Sequence, residues 1–403
     1  MKKKAVFEVG IYFVLFGTQI ACMITEIFKL NKSLTTVVYT IGLLCLLSTK
    51  SIRRGKVRSN KQLLLIFVYN IYVLFYGILT GSSLMEGYFP LIYTVFCLAL
   101  IMLLVLRSAS EVNNDRFIRN GWLASGILSV ILLWLITDGF KQFSSIAQLT
   151  MGTDRLTLSV VGSYYMMFFL VYSATNKREL IIKIVFFVAA VLDVFLCSRK
   201  GFFIVYAIIL IVWLKQYKKI VFPKKYIIKI ITGIGFALVV GIIMINTPFI
   251  KTLFDQYMFS FTHALLGYVG KASGIYNTGA IRNNTISNML SEYKWKYSIT
   301  DYIFGKGYMY ASSDFAYLQV FMDLGVFAGL YYLYIQMILP IKMILKRPKD
   351  NMIFFLQMCV IFTTLENIFS GTPYGHTRFG PLILLLFFMN EDKNRKQIDC
   401  RRL

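Results

Sequence analysis

Residues 278–329 read TGAIRNNTISNMLSEYKWKYSITDYIFGKGYMYASSDFAYLQVFMDLGVFAG. The stretch opens as the one long segment of the chain that is not hydrophobic and closes inside an apolar run. On either side of it the 403-residue chain is about twelve apolar runs of roughly 16–24 residues joined by short basic loops. In a protein built this way, chemistry is expected where the large loop meets the membrane. The candidates there are Arg282, Asp314 and, arriving from another helix, Arg199.

Composition supports the membrane reading. Hydrophobic residues make up 57% of the chain and charged residues 15%, against about 25% charged in a soluble domain. The formal charge of +24 resembles a nucleic-acid signal. However, the Lys and Arg residues cluster in short loops between apolar runs, which is the mark of membrane insertion. No soluble basic domain is left to bind nucleic acid.

The expected fold is all-α and polytopic, with about 12 transmembrane helices near 5–28, 34–49, 62–80, 89–106, 120–137, 156–173, 180–197, 201–214, 226–246, 315–339, 351–369 and 377–390. The runs at 34–49 and 201–214 are short for a bilayer and need flanking residues. Placing the N-terminus in the cytoplasm and alternating puts roughly 30 of the 43 basic residues on one side. Both termini are then cytoplasmic. Residues 1–245 hold nine spans, 246–314 form a large outer loop, 315–390 hold three spans, and 391–403 form a cytoplasmic tail.

No Walker A loop, HExxH or CxxC pair occurs, and the chain has only His263 and His376. Neither a metal nor another cofactor is expected. The six cysteines lie in spans or in the tail, so no disulfide framework braces the outer loop. Gly305-Lys306-Gly307 reads as a turn.

Within the loop, Ile286, Met289, Leu290, Tyr293 and Tyr297 follow helical spacing, which predicts an amphipathic helix over 284–297 lying along the membrane surface. Arg282 then stands just before the helix N-terminus, a corner suited to an anion. Its alternative is a solvated side chain beside a structural helix. Ser198-Arg199-Lys200-Gly201 reads as a hairpin tip on the outer face. Its charges point either to a phosphate ligand or to a partner carboxylate, with Asp193 one helical face away. Asp314 is either a proton acceptor or, with Ser312 and Ser313, a helix cap. Asp323, about 13 Å further along the same helix, Glu366 and Glu26 are intramembrane acids, which would suit proton-coupled transport or structural pairing.

These features occur in order in one family. The chain resembles the O-antigen polymerase and O-antigen ligase superfamily of bacteria, including the Wzy-type polysaccharide polymerases. The resemblance spans roughly residues 150–340. It rests on the turn Ser198-Arg199-Lys200-Gly201, on Arg282 early in the loop, and on Ile303-Phe304-Gly305-Lys306-Gly307-Tyr308. It ends with Asp314-Phe315-Ala316-Tyr317-Leu318 leading into Gly325-Val326-Phe327-Ala328-Gly329. Ligases typically carry histidine where this chain has Asp314, so the match favours a polymerase.

The resemblance implies a metal-independent glycosyltransferase in the bacterial cytoplasmic membrane. It would join polyprenyl-pyrophosphate-linked repeat units of capsule or O-antigen at the outer face. Arg199 and Arg282 would neutralise the pyrophosphate and Asp314 would be the base. Arg199, Lys200, Arg282, Tyr317, His376 and Arg378 are the candidates for contact with pyrophosphate or glycan. A flippase and a chain-length regulator are further implied partners. A ligase, or a transporter of the same lipid-linked unit, is the alternative.

Overall fold

A computed structural model of the chain describes residues 2–28, 34–47, 61–80, 88–106, 112–137, 155–196, 200–217, 278–311, 315–346, 350–369 and 383–389, with a few isolated positions. All elements among the described residues are helical. They are α1 Lys2–Phe28, α2 Leu34–Leu47, α3 Lys61–Thr80, α4 Tyr88–Val105, α5 Asn114–Ile136, α6 Arg155–Val171, α7 Lys177–Leu196 and α8 Lys200–Tyr217. They continue with α9 Thr278–Trp295, α10 Ile299–Phe304, α11 Ala316–Leu333, a π-helical turn Tyr334–Ile338, α12 Leu339–Ile344 and α13 Asn351–Phe369. The expected span at 226–246 lies outside the described residues.

Among the described residues four helices are long and apolar enough to cross a membrane: 6–25, 61–80, 114–136 and 316–344. Shorter apolar helices lie at 36–47, 91–105, 160–171 and 351–365. Their outward faces are greasy. Helix α3 buries Leu63, Ile66, Tyr69 and Val73 but exposes Leu64, Val68, Phe75, Ile78 and Leu79. Helix α7 exposes Ile181, Ile184, Val185 and Val188. A helix apolar on both its packed and its open faces suits a lipid surround.

The chain divides into two compact units, residues 1–206 with 297–403, and residues 207–296. In the larger unit α1 lies along α2, while α5, α6 and α7 pack on one another with α13 against α5 and α6. Aromatic rings fill that junction. Phe168 stacks on Phe355 with centroids 3.9 Å apart, and Tyr12 stacks on Phe117 at 5.0 Å. One buried acid is paired here: Glu8 accepts from the Asn113 N–H and faces the Arg116 guanidinium at 3.2 Å. A second group is built from α3, α4, α10 and α11.

The smaller unit contributes α9. It begins at Thr278, earlier than the predicted 284, and ends at Trp295. Of the expected stripe Met289 is buried and Ile286 and Tyr293 are half-buried, while Leu290 is exposed; Ile281 and Trp295, outside the stripe, are exposed as well.

Helix α10 is short and well capped. The Ser298 hydroxyl accepts from the Asp301 N–H, and the Asp301 carboxylate accepts from the Ser298 N–H. Those bonds, from the Ser298 N–H first and its hydroxyl second, with Lys306 nearby, hold the Asp301 carboxyl below its ordinary value. A depressed pKa means that the cap stabilises above the unfolded value of about 3.9 and fails as pH falls through the lower folded value. Amide protection across 299–304 is expected to drop below about pH 4, and Asp301→Asn should lack that step. Hydrogen exchange against pH is the check.

Candidate functional site

The sequence places a span over 315–339, but α11 is not one helix. Gly325 sits at φ 82°, ψ 177°, which breaks the helix into halves 316–324 and 326–333. Residues 326–344 alone remain continuous, about 28 Å long. The halves fold toward each other. Along a straight helix Tyr317 and Tyr332 would be about 22 Å apart, yet their ring centroids are 5.7 Å apart. Asp323 therefore stands at a reversal of the chain, not part-way down a straight span.

A break of this kind strips the carbonyls of Met322, Asp323 and Leu324 of their usual N–H donors four residues on. The turn after α10 supplies replacements. The Lys306 N–H donates to the Met322 carbonyl (3.0 Å) and the Gly307 N–H to the Asp323 carbonyl (3.1 Å). The Tyr297 hydroxyl also donates to the Met322 carbonyl (3.1 Å), and the Tyr72 hydroxyl to that of Leu324 (3.5 Å).

Backbone must approach backbone closely for this, and a glycine on each side makes room. A Cβ on Gly305 would lie 2.1 Å from the Asp323 carbonyl oxygen, and one on Gly325 would lie 2.1 Å from that of Ile303. Both glycines adopt the same conformation, φ near 80° with ψ near 175°, a region open essentially to glycine alone.

Helix α3 buttresses the junction along its length. The Tyr331 hydroxyl donates to the Leu65 carbonyl (2.9 Å), the Tyr76 hydroxyl to the Phe304 carbonyl (2.6 Å), and the Tyr308 N–H to the Thr80 hydroxyl (3.1 Å). Lys306 lies over the Tyr297 ring at 4.5 Å from its centroid. Asp323, fully buried, accepts from the Ala311 N–H at 2.8 Å and from the Gln319 amide at 3.3 Å, and that amide also donates to the Ala311 carbonyl at 2.6 Å. With both oxygens engaged, the carboxylate acts as a pin for residue 311. Burial, and secondarily the Asp323 charge, push the Tyr308 phenol above its ordinary range, so this hydroxyl keeps its proton.

No family model, curated protein or solved structure matches the chain.

The site residues expected from sequence fare differently. Arg282 is not at a helix N-terminus. Because α9 starts at Thr278, Arg282 lies in its second turn and not just before the helix, so the free N–H groups of the helix N-terminus do not stand beside it as expected. Tyr317 is buried in the first turn of the half-helix 316–324. Phe315 occupies the N-cap position and makes no side-chain cap, while Ser312, Ser313 and Asp314, the expected cap, lie outside the described residues. Arg199, Asp314, His376 and Arg378 lie outside the described residues, and Lys200 is described only as the first residue of α8.

Asp193, the carboxylate considered as a partner for the 198–201 turn, is fully buried in α7, and neither of its oxygens has a hydrogen-bond partner. The Ser129 hydroxyl is near it without reaching bonding geometry. Gly305-Lys306-Gly307 is a turn, as expected, but one that completes a broken helix. Among the described residues no three His, Cys, Asp or Glu side chains come together as a metal site requires.

The residues missed were Tyr72, Tyr76 and Thr80. Their signal was present: polar tips at four-residue spacing on one face of an apolar helix.

Proposed function

We propose that this chain is a polysaccharide polymerase that joins polyprenyl-pyrophosphate-linked repeat units at the outer face of a bacterial cytoplasmic membrane. The observation that carries the reading is the docking of the Gly305 turn on the Gly325 break. Two short motifs of the resemblance, distant in sequence and weak alone, are halves of one structure. The candidate spans supply the membrane setting, and the polar segment 297–311 is held firmly against a helix that enters it.

In the proposed reaction a hydroxyl oxygen of the incoming repeat unit attacks the anomeric carbon of the growing chain. The new glycosidic C–O bond forms as the bond to pyrophosphate breaks. The polyprenyl pyrophosphate leaves with the electron pair, and the hydroxyl proton passes to a base. Asp314 is the proposed base, and Arg199 and Arg282 offset the charge on the leaving group. The leaving group is already activated, so no nucleotide sugar or metal is called for.

In cells carrying Arg282→Ala, the expected result is accumulation of single lipid-linked units outside the membrane, with long chains reduced by at least about 100-fold. Glycan length on lipid and on the surface is the measurement. Full-length chains left on lipid would indicate a ligase, and an unchanged distribution would remove Arg282 from the mechanism. A transporter of the same unit is favoured by one observation, the buried carboxylate of Asp193, since acids held in this way inside spans often carry ions or protons. Units trapped on the cytoplasmic side would establish that reading instead.

A further inference from the structure

The turn that completes the Gly325 break presents an apolar side outward. Among the described residues Met309, at φ 58°, is the one non-glycine residue with a positive φ. The Tyr310 N–H donates to the Gly307 carbonyl at 3.1 Å, so Met309 occupies the third position of a tight turn, where glycine or asparagine would sit without strain. Core packing does not hold it there, because Met309 is exposed. An apolar residue that is both strained and open gains nothing from water, and strain of this kind persists where a contact compensates it.

Its neighbours share the pattern. On α10, Ile299, Ile303 and Phe304 fall within about 140° of arc; Ile299 is 80% exposed and Phe304 59%. Tyr302, on the opposite side, packs on Tyr297 with ring centroids 5.8 Å apart. The Phe304 carbonyl accepts from the Tyr76 hydroxyl, and the Tyr308 N–H donates to the Thr80 hydroxyl, so α10 and the turn both lie against the last two turns of α3. There α3 exposes Phe75, Ile78 and Leu79, the last by 82%. Phe75 and Leu79 directly precede Tyr76 and Thr80, so the open face of α3 adjoins the bonded one and apolar surface continues from the helix onto the turn.

The length of α3 sets the depth. Its 20 residues extend about 30 Å, the thickness of a bilayer's hydrocarbon core. A turn bonded to Thr80 therefore stands at the edge of that core, with Phe304 about one helical turn further in, beside Tyr76. The polar groups suit the same level. Lys306 lies over the Tyr297 and Tyr310 rings, 4.5 Å and 5.1 Å from their centroids, and lysine with tyrosine is what a membrane–water boundary favours.

We propose that residues 299–310 form a wedge in the bilayer surface. Ile299, Phe304 and Met309 bed among the acyl chains of the leaflet that meets the Thr80 end of α3, and Lys306 and Tyr310 face its headgroups. The segment is then not a water-borne loop, and the Gly305–Gly325 crossing is anchored at the level of the lipid phosphates. This holds whether or not the chain is a polymerase.

The test places the full native chain in nanodiscs of phosphatidylcholine carrying a diazirine on its acyl chain, followed by irradiation, digestion and mass spectrometry. Lipid adducts are expected on the peptides carrying Ile299, Phe304 or Met309, at a yield comparable to that of the peptide carrying Leu79. Oxidation of Met309 by a water-soluble peroxide is the second readout. Ile299→Ser combined with Phe304→Ser should raise its rate about tenfold and lower its lipid labelling in step, because the apolar area that holds the wedge down has gone. Rapid oxidation of Met309 in the native chain with no lipid adduct over 299–310 would overturn the wedge, as would an oxidation rate unchanged by the double substitution. Labelling lost in nanodiscs holding two copies of the chain, or lost on adding a polyprenyl pyrophosphate, would give the face to a second copy or to a lipid-linked ligand and overturn it as well. Arg282→Ala leaves both readouts unchanged, so the wedge and the polymerase reading fail separately.

Discussion

Gly325→Ala is expected to undo the docking of residues 297–311 on α11 and to destabilise the protein by at least about 4 kcal/mol. Two effects add. A residue with a Cβ at φ 82°, ψ 177° is strained by about 1–3 kcal/mol. The Cβ would also lie 2.1 Å from the Ile303 carbonyl oxygen, which is backbone and cannot rotate aside. The Gly305 turn must then retreat, leaving the carbonyls of Met322 and Asp323 without the Lys306 and Gly307 donors. Gly305→Ala should match it, because its Cβ meets the Asp323 carbonyl oxygen at 2.1 Å. Gly307→Ala should be milder, since nothing lies closer than 3.5 Å to its Cβ and only its φ of 123° is unfavourable. Thermal unfolding in detergent gives the order. Equal, small losses at all three positions would show that the close approach is not what holds the turn.

Asp323→Leu is expected to cost about 3 kcal/mol, because it leaves the buried Ala311 N–H without an acceptor and frees the Gln319 amide. Asp323→Asn retains one oxygen for the Ala311 N–H and should lose less than half as much. Amide exchange at Ala311 is the direct readout, with protection falling sharply in the leucine variant and modestly in the asparagine one. Were Asp323 a proton carrier, the asparagine variant would instead retain full stability and lose activity outright.

Helix type and position were legible because apolar runs in this chain are long and basic residues punctuate them. Helices α3, α4 and α13 fall within a residue or two of the predicted 62–80, 89–106 and 351–369. The break in α11 was not legible. Leu324-Gly325-Val326 is as apolar as its surroundings, so hydropathy runs through it. Gly325 stood out only as the start of a Gly-x-x-x-Gly run, which is compatible with an unbroken helix. What marks Gly325 is its counterpart Gly305, and that relation exists only once the chain has folded. The start of α9 was misread for a related reason. Thr278-Gly279-Ala280 looks like a loop, and an apolar pattern beginning at Ile286 hid the helical residues before it. Of the candidate site, the glycine turn at 305–307 could be read from sequence. The pin at Asp323 could not, because its main partner is a backbone N–H that every residue type provides.

The glycine crossing also fixes an order of events during synthesis. Residues 297–311 leave the ribosome before 316–344, yet the carbonyls they must meet belong to the later segment. Until that helix has been threaded into the bilayer and has bent at Gly325, Lys306 and Gly307 have only water, or the already inserted α3, to bond with. Closure of the crossing is therefore a late, checkpoint-like step. A chain stalled or truncated before residue 325 would present the turn unpaired, giving a quality-control protease an exposed segment to cut that the finished protein hides.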